Sequence, residues 1–60
     1  MKEYGYEIYL NGYLYLDNGD RTHPTMSAAM LDAIRTMDIE LSGEELGHTR
    51  DLHIKIMEED

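Results

Sequence analysis

Alternating and turn-forming residues dominate the first third of the chain. The segment from Tyr4 to Asp17 is rich in Tyr, Ile and Leu and is interrupted by Asn11-Gly12. An Asn-Gly pair between two such runs is a strong signal for a tight turn. The segment therefore predicts a β-hairpin, followed by a turn at Asn18-Gly19-Asp20.

The register of this hairpin decides which side chains share a face. A two-residue loop at Asn11-Gly12 pairs Leu10 with Tyr13 and leaves both faces mixed. A three-residue loop pairs Ile8 with Leu14 and separates the faces, with a glycine in a left-handed bulge position. We predict the three-residue loop. Its two faces are Tyr6, Ile8, Leu14 and Leu16 on one side, and Glu7, Tyr9, Tyr13 and Tyr15 on the other.

Apolar residues at helical spacing follow the hairpin. They recur at i, i+4, i+7, i+8 and i+11, and are Met26, Met30, Ala33, Ile34 and Met37. This stripe predicts a helix that packs on the sheet. Pro24 suits the first helical position, and Thr22, His23 or Thr25 are the candidate caps.

The pattern after Asp38 is less regular. Residues 39–41 suggest a short extended segment, and Ser42 with Glu45 fits a capping box that starts one helical turn, ended by Gly47. Residues 52–57 alternate and predict the last strand, in which Leu52, Ile54 and Ile56 face opposite to His53 and Lys55.

These elements predict one domain over residues 1–60 with the order β-β-α-β. We expect an α+β two-layer sandwich: a three-stranded antiparallel sheet in the order 2-1-3 with the helix on one face.

Composition narrows the choice of partner. Thirteen Asp and Glu against five Lys and Arg give a net charge of −8. Nucleic acids and anionic membranes bind preferentially to cationic surfaces, so neither is expected as a direct partner of this acidic chain. A basic protein is favoured, although the same charge also serves solubility.

The sequence predicts neither catalysis nor a cofactor. There is no Cys, and the three imidazoles, His23, His48 and His53, lack the spacing of a metal site, so we expect them to be solvent-exposed. No residue pair suggests acid–base or nucleophilic chemistry. No signal peptide or apolar run of about 20 residues is present, which predicts a cytoplasmic protein.

Two groups of residues are candidates for contact with a partner. Tyrosines are enriched at interfaces, and Tyr9, Tyr13 and Tyr15 are expected beside Glu7 on the open sheet face. The acidic candidates lie in the least regular part of the chain and are Glu40, Glu44, Glu45 and Asp51.

As a whole, the chain resembles the small acidic inhibitors that phages and mobile elements encode, such as anti-CRISPR and anti-restriction proteins. The resemblance rests on 60 residues, no Cys, a net charge of −8, a Tyr-rich hairpin and acidic residues through Glu40, Glu44, Glu45, Asp51 and Glu58. It implies an inhibitor that occupies the nucleic-acid groove of a basic complex in the host-cell cytoplasm. No individual residue's role carries over.

Two functions stay open on this evidence. One is the inhibitor that binds a basic protein. The other is an assembly or antitoxin-like module that homodimerises through its open tyrosine-rich sheet face, because a chain of 60 residues buries little surface by itself.

Overall fold

The computed structural model describes residues 2–59. Its elements are β1 (Tyr4–Leu10), β2 (Tyr13–Asp17), α1 (Met26–Glu40), α2 (Gly43–Gly47) and β3 (Leu52–Glu58). The strands form one antiparallel sheet in the order β2-β1-β3, and α1 packs on one face of it over β1 and β3. The predicted α+β fold, its element order and its strand order are confirmed. No helix within residues 2–59 has the length and apolar character needed to cross a membrane.

The loop of the hairpin differs from the prediction. Asn11 and Gly12 have φ values of 52° and 86°, and Leu10 lies opposite Tyr13. Two central residues with positive φ are the requirement of a two-residue type I′ turn, whose twist matches that of the flanking strands. The predicted three-residue loop, which paired Ile8 with Leu14, is therefore wrong.

A β-bulge in β2 reconciles this tight turn with a buried apolar face. Tyr9 lies opposite Leu14 and Ile8 opposite Leu16, so Tyr15 is the extra residue on β2. A bulge of this kind shifts the side-chain alternation by one position. Leu16 thereby returns to the face of Ile8, which a regular two-residue hairpin would have prevented.

The helix begins at Met26, two residues later than the predicted first position at Pro24. Thr25 is the N-cap, and its hydroxyl accepts a hydrogen bond from the Ala28 N–H at 3.1 Å. Pro24 thus precedes the cap and is not the first helical residue. At its other end α1 continues through Glu40, so the predicted extended segment over residues 39–41 reduces to Leu41 alone, which is extended and buried.

The core is built around β1 and two alanines of α1. The buried apolar residues are Tyr6, Ile8, Leu10, Ala29, Ala33 and Leu41. Of the predicted stripe only Ala33 is buried; Met30 and Met37 are half-buried, and Met26 and Ile34 are exposed. The small side chains of Ala29 and Ala33 thus take the fully buried positions of α1, and Met37 packs at the margin of the core.

The predicted capping box and last strand are confirmed, although the helical turn includes Gly47 and the strand extends through Glu58. Ser42 Oγ accepts from the Glu45 N–H at 3.0 Å, and Glu45 Oε1 accepts from the Ser42 N–H at 3.1 Å, which completes the capping box. In β3, the residues at 52, 54 and 56 lie opposite Leu10, Ile8 and Tyr6 on the helix face.

Candidate protein-binding site

The eight residues predicted to contact a partner do not form one surface. Tyr13 and Tyr15 lie on the helix side beside α2, because Tyr13 is opposite the buried Leu10 and Tyr15 reaches Glu45. Tyr9 lies on the open face, where it is opposite Leu14. The predicted open face carrying all three tyrosines is therefore wrong.

The four acidic candidates are also distributed. Glu40 is the last residue of α1, and Glu44 and Glu45 belong to α2. Asp51 lies in the loop before β3, and lines a shallow depression of the open face with Tyr9 and Lys55. One group remains together on the helix side, namely Tyr13, Tyr15 and Glu45, and we call it the tyrosine–carboxylate surface. Glu44 is the neighbour of Glu45 on α2.

The centre of the tyrosine–carboxylate surface is a hydrogen bond between two exposed groups. The Tyr15 hydroxyl donates to Glu45 Oε2. Tyr13, with 79% of its surface exposed, lies beside this pair, and His48 and Thr49 complete a surface depression there. The arrangement presents an apolar ring next to a fixed carboxylate.

Local sequence explains why Glu45 and Tyr15 meet. The capping box uses Glu45 Oε1 for the Ser42 N–H, so Oε2 is left for a second donor. The bulge places Tyr15 where its side chain reaches α2, a use for which β-bulges are common. Two local motifs that are far apart in sequence thus build one contact.

The electrostatics of this contact keep Glu45 charged. The hydrogen bond from Tyr15, together with that from the Ser42 backbone, lowers the pKa of Glu45 below its usual value. The same bond raises the pKa of Tyr15. At neutral pH the surface therefore presents a carboxylate and a protonated phenol.

The loop beside this surface is tied to the hairpin turn. Asn11 Oδ1 accepts hydrogen bonds from the N–H groups of Arg50 at 2.9 Å and Asp51 at 3.2 Å. The Asn11 N–H donates to the Asp51 carbonyl at 2.8 Å. Thr49 Oγ1 donates to the Glu45 carbonyl at 2.9 Å. These hydrogen bonds, most of them between a side chain and the backbone, fix the loop next to the surface.

The open sheet face is a weaker candidate because its charges are mixed. The Tyr9 hydroxyl donates to Glu7 Oε1 at 2.6 Å, which raises the pKa of Tyr9. The Tyr9 ring lies 5.9 Å from the His53 ring, centroid to centroid, and Lys55 is opposite Glu7 in the sheet. Acidic, basic and aromatic groups alternate here without a single dominant character.

A polar network between the loop and the helix escaped the sequence analysis. His23 Nε2 lies 2.9 Å from Asp32 Oδ2, and Arg21 Nε lies 3.4 Å from the same oxygen. Arg21 also donates a hydrogen bond to the hydroxyl of the buried Tyr6 at 2.8 Å. The same hydroxyl forms a hydrogen bond with the Thr36 hydroxyl at 2.8 Å. His23 is half-buried, so its predicted exposure is wrong.

We interpret this network as structural. Its polar atoms are directed at one another, and it fastens the segment before α1 to both layers of the fold. No local motif signals it, because its partners are separated by 9 to 30 positions. Within residues 2–59, no group of three or more His, Cys, Asp or Glu is arranged to hold a metal ion.

Fold and site together define a small acidic two-layer α+β domain that presents tyrosines and a fixed carboxylate at one end. Comparison with protein-family models, curated proteins and solved structures finds no match to this chain. The function proposed below therefore rests on the surface chemistry described above.

Proposed function

We propose that this protein is a small acidic inhibitor that binds a basic, nucleic-acid-binding protein complex through the tyrosine–carboxylate surface. The observation that carries the proposal is the Tyr15–Glu45 hydrogen bond, which fixes an ionised carboxylate beside the exposed ring of Tyr13. The proposed activity is binding and not catalysis, and the proposed place of action is the cytoplasm of a host cell under attack by a phage or mobile element.

The chemistry of this surface suits a groove built for phosphates. Arginine forks bind carboxylates and phosphates with similar geometry, so Glu44 and Glu45 fit positions that nucleic acid would occupy. Tyrosine contributes apolar contact and few rotatable bonds, which favours its use at the centre of an interface. The net charge of −8 accelerates encounter with a basic partner.

We do not favour the alternative in which a tyrosine-rich open sheet face mediates homodimerisation. That face holds Tyr9, whereas Tyr13 and Tyr15 lie on the helix side. A different surface for self-association is considered in the next section.

The proposal is tested by competition with DNA for purified basic complexes, namely CRISPR effector ribonucleoproteins and restriction endonucleases. The double variant E44Q/E45Q removes two charges and keeps the capping box, because Gln can replace Glu there. Its matched control is D20N/D38N, which removes two exposed charges elsewhere. We expect E44Q/E45Q and Tyr13→Ala each to raise the inhibitory concentration about tenfold.

The control variant and the salt dependence distinguish binding through the tyrosine–carboxylate surface from a general effect of net charge. D20N/D38N should leave inhibition within about twofold, and added salt should weaken inhibition by the wild type more than by E44Q/E45Q. Equal losses for both double variants would show that net charge acts without this surface. No competition with any of these complexes would remove the proposed target class.

A further inference from the structure

The two outer edges of the sheet differ in how well they are protected against pairing with a further strand. β2 has five residues and a bulge at Tyr15, and such irregular, short edges resist pairing with another strand. β3 has seven residues, pairs with β1 without a register shift, and exposes its other edge within the described chain. A long regular edge presents unpaired N–H and C=O groups that favour addition of a further strand.

Apolar side chains lie beside this edge on the helix face. Met26, Met30, Leu31 and Ile56 line a groove between α1 and β3, which we call the β3 groove. Leu31 is 59% exposed, and Leu52, at the start of the strand, is 46% exposed. An exposed strand edge flanked by apolar side chains is typical of a surface that binds another chain.

We propose that a second copy of this chain occupies the edge of β3, antiparallel to it, to give a two-fold dimer with a continuous six-stranded sheet. The two-fold axis passes at Ile54. The helices of both copies then lie on the same side of the sheet, and the two β3 grooves face each other across the axis.

The sequence of β3 fits this self-pairing when the axis lies at Ile54. With Ile54 opposite itself, Leu52 lies opposite Ile56 of the second copy, so the helix side of the contact is apolar. Moving the axis to Lys55 would place two ammonium groups opposite each other, and moving it to Ile56 would place Ile54 opposite Glu58. Both of these registers, in which the axis moves toward the C-terminus of β3, therefore carry a mismatch.

Charge also points to a copy of the same chain at this edge. Residues 52–57 contain no carboxylate, although the chain has thirteen. In the proposed register Asp51 lies diagonal to Lys55 of the second copy, within reach of that long side chain. Glu58, the last residue of β3, lies opposite Arg50 of the second copy in this register, and Glu44, Glu45 and Asp20 belong to other parts of the fold.

The dimer is independent of the proposed inhibitor function. Tyr13 and Tyr15 belong to β2, at the opposite edge of the sheet, so a dimer would display two tyrosine–carboxylate surfaces. A variant that is monomeric should still compete with DNA, and failure of either proposal leaves the other testable.

Sedimentation equilibrium of the full chain tests the dimer. The wild type should sediment at twice 7.0 kDa, with a dissociation constant on the order of 10 µM. The variant L31K/L52K should raise this constant about tenfold or more, because lysines would be buried at the contact. The matched control I39K/L14K changes residues that are 80% and 51% exposed outside the β3 groove, and should leave the constant within about twofold.

A second measurement uses only wild-type chains, so its result does not depend on whether a variant folds. In a mixture of isotope-labelled and unlabelled wild-type chains, NOEs between the two forms should connect Ile54 methyl groups across the axis. A wild type that stays monomeric at millimolar concentration, a dimer that L31K/L52K leaves intact, or intermolecular NOEs confined to other residues would each overturn the proposal.

Discussion

Gly5 and Asn18 form a close contact that joins the hairpin to the turn after it. The Asn18 side chain is 4% exposed, and its Oδ1 accepts the Tyr6 N–H at 3.0 Å while its Nδ2 donates to the Arg21 carbonyl. A Cβ at Gly5 would lie 2.6 Å from Asn18 Oδ1. Glycine is required at position 5 because the Asn18 side-chain amide occupies the space that a Cβ would need.

Gly5→Ala should therefore destabilise the fold by about 1–3 kcal/mol, the usual cost of overpacking, with loss of the Asn18 hydrogen bonds. Gly43→Ala is the matched control, because a Cβ there meets no atom within 4 Å and alanine suits a helix. Urea unfolding followed by circular dichroism compares the two. Equal stabilities for both variants would show that Asn18 moves aside without cost.

The hairpin is the element in which turn and strand impose opposing requirements. The type I′ turn at Asn11-Gly12 sets a register that would turn Leu16 away from the core, and the bulge at Tyr15 corrects it. Asn11 has a second role, because its side chain accepts the N–H groups of Arg50 and Asp51. The turn thus also positions the loop beside the tyrosine–carboxylate surface.

Two substitutions separate these roles of Asn11. Asn11→Ala removes the acceptor and strains the positive φ, so the free energy of unfolding should fall by about 2 kcal/mol. Asn11→Gly removes the acceptor without that strain and should cost about 1 kcal/mol. Urea titrations of both variants measure the difference, and a larger loss for Asn11→Gly would contradict the assignment of strain.

The half-buried Asp32 on α1 is paired with two residues of the segment before the helix, His23 and Arg21. Burial by itself raises the pKa of Asp32, but the hydrogen bond with His23 and the charge of Arg21 outweigh it, and the pKa lies below its usual value. A carboxyl whose pKa is lowered by folding stabilises the folded state above its unfolded pKa of about 3.9. That contribution is lost as the pH falls through the lower folded-state pKa.

Asp32→Asn should therefore lower stability at pH 7 by about 1 kcal/mol or more, because Arg21 and His23 lose their charged partner. The difference from the wild type should shrink as the pH is lowered below about 4. Asp38→Asn, an exposed change on the same helix, should show little difference throughout. Thermal melts across pH measure both, and a constant Asp32→Asn deficit at low pH would contradict the lowered pKa.

Local patterns in the sequence were sufficient to predict the elements and their order. Alternation of apolar residues in β3, the Asn11-Gly12 turn signal and the Ser42–Glu45 capping box act over a few positions, and each predicted its element. The order of the strands followed because a hairpin pairs β1 with β2, which leaves the other edge of β1 for β3.

The faces of the hairpin and the long-range contacts became evident only from the folded chain. The two-residue turn placed Tyr13 opposite Leu10, on the other side of the sheet from Tyr9, and the fully buried positions of α1 belong to Ala29 and Ala33 while Met30 and Met37 are half-buried. The bonds from Tyr15 to Glu45 and from His23 to Asp32 join residues 30 and 9 positions apart. Such contacts depend on how layers pack, and no local pattern encodes that distance.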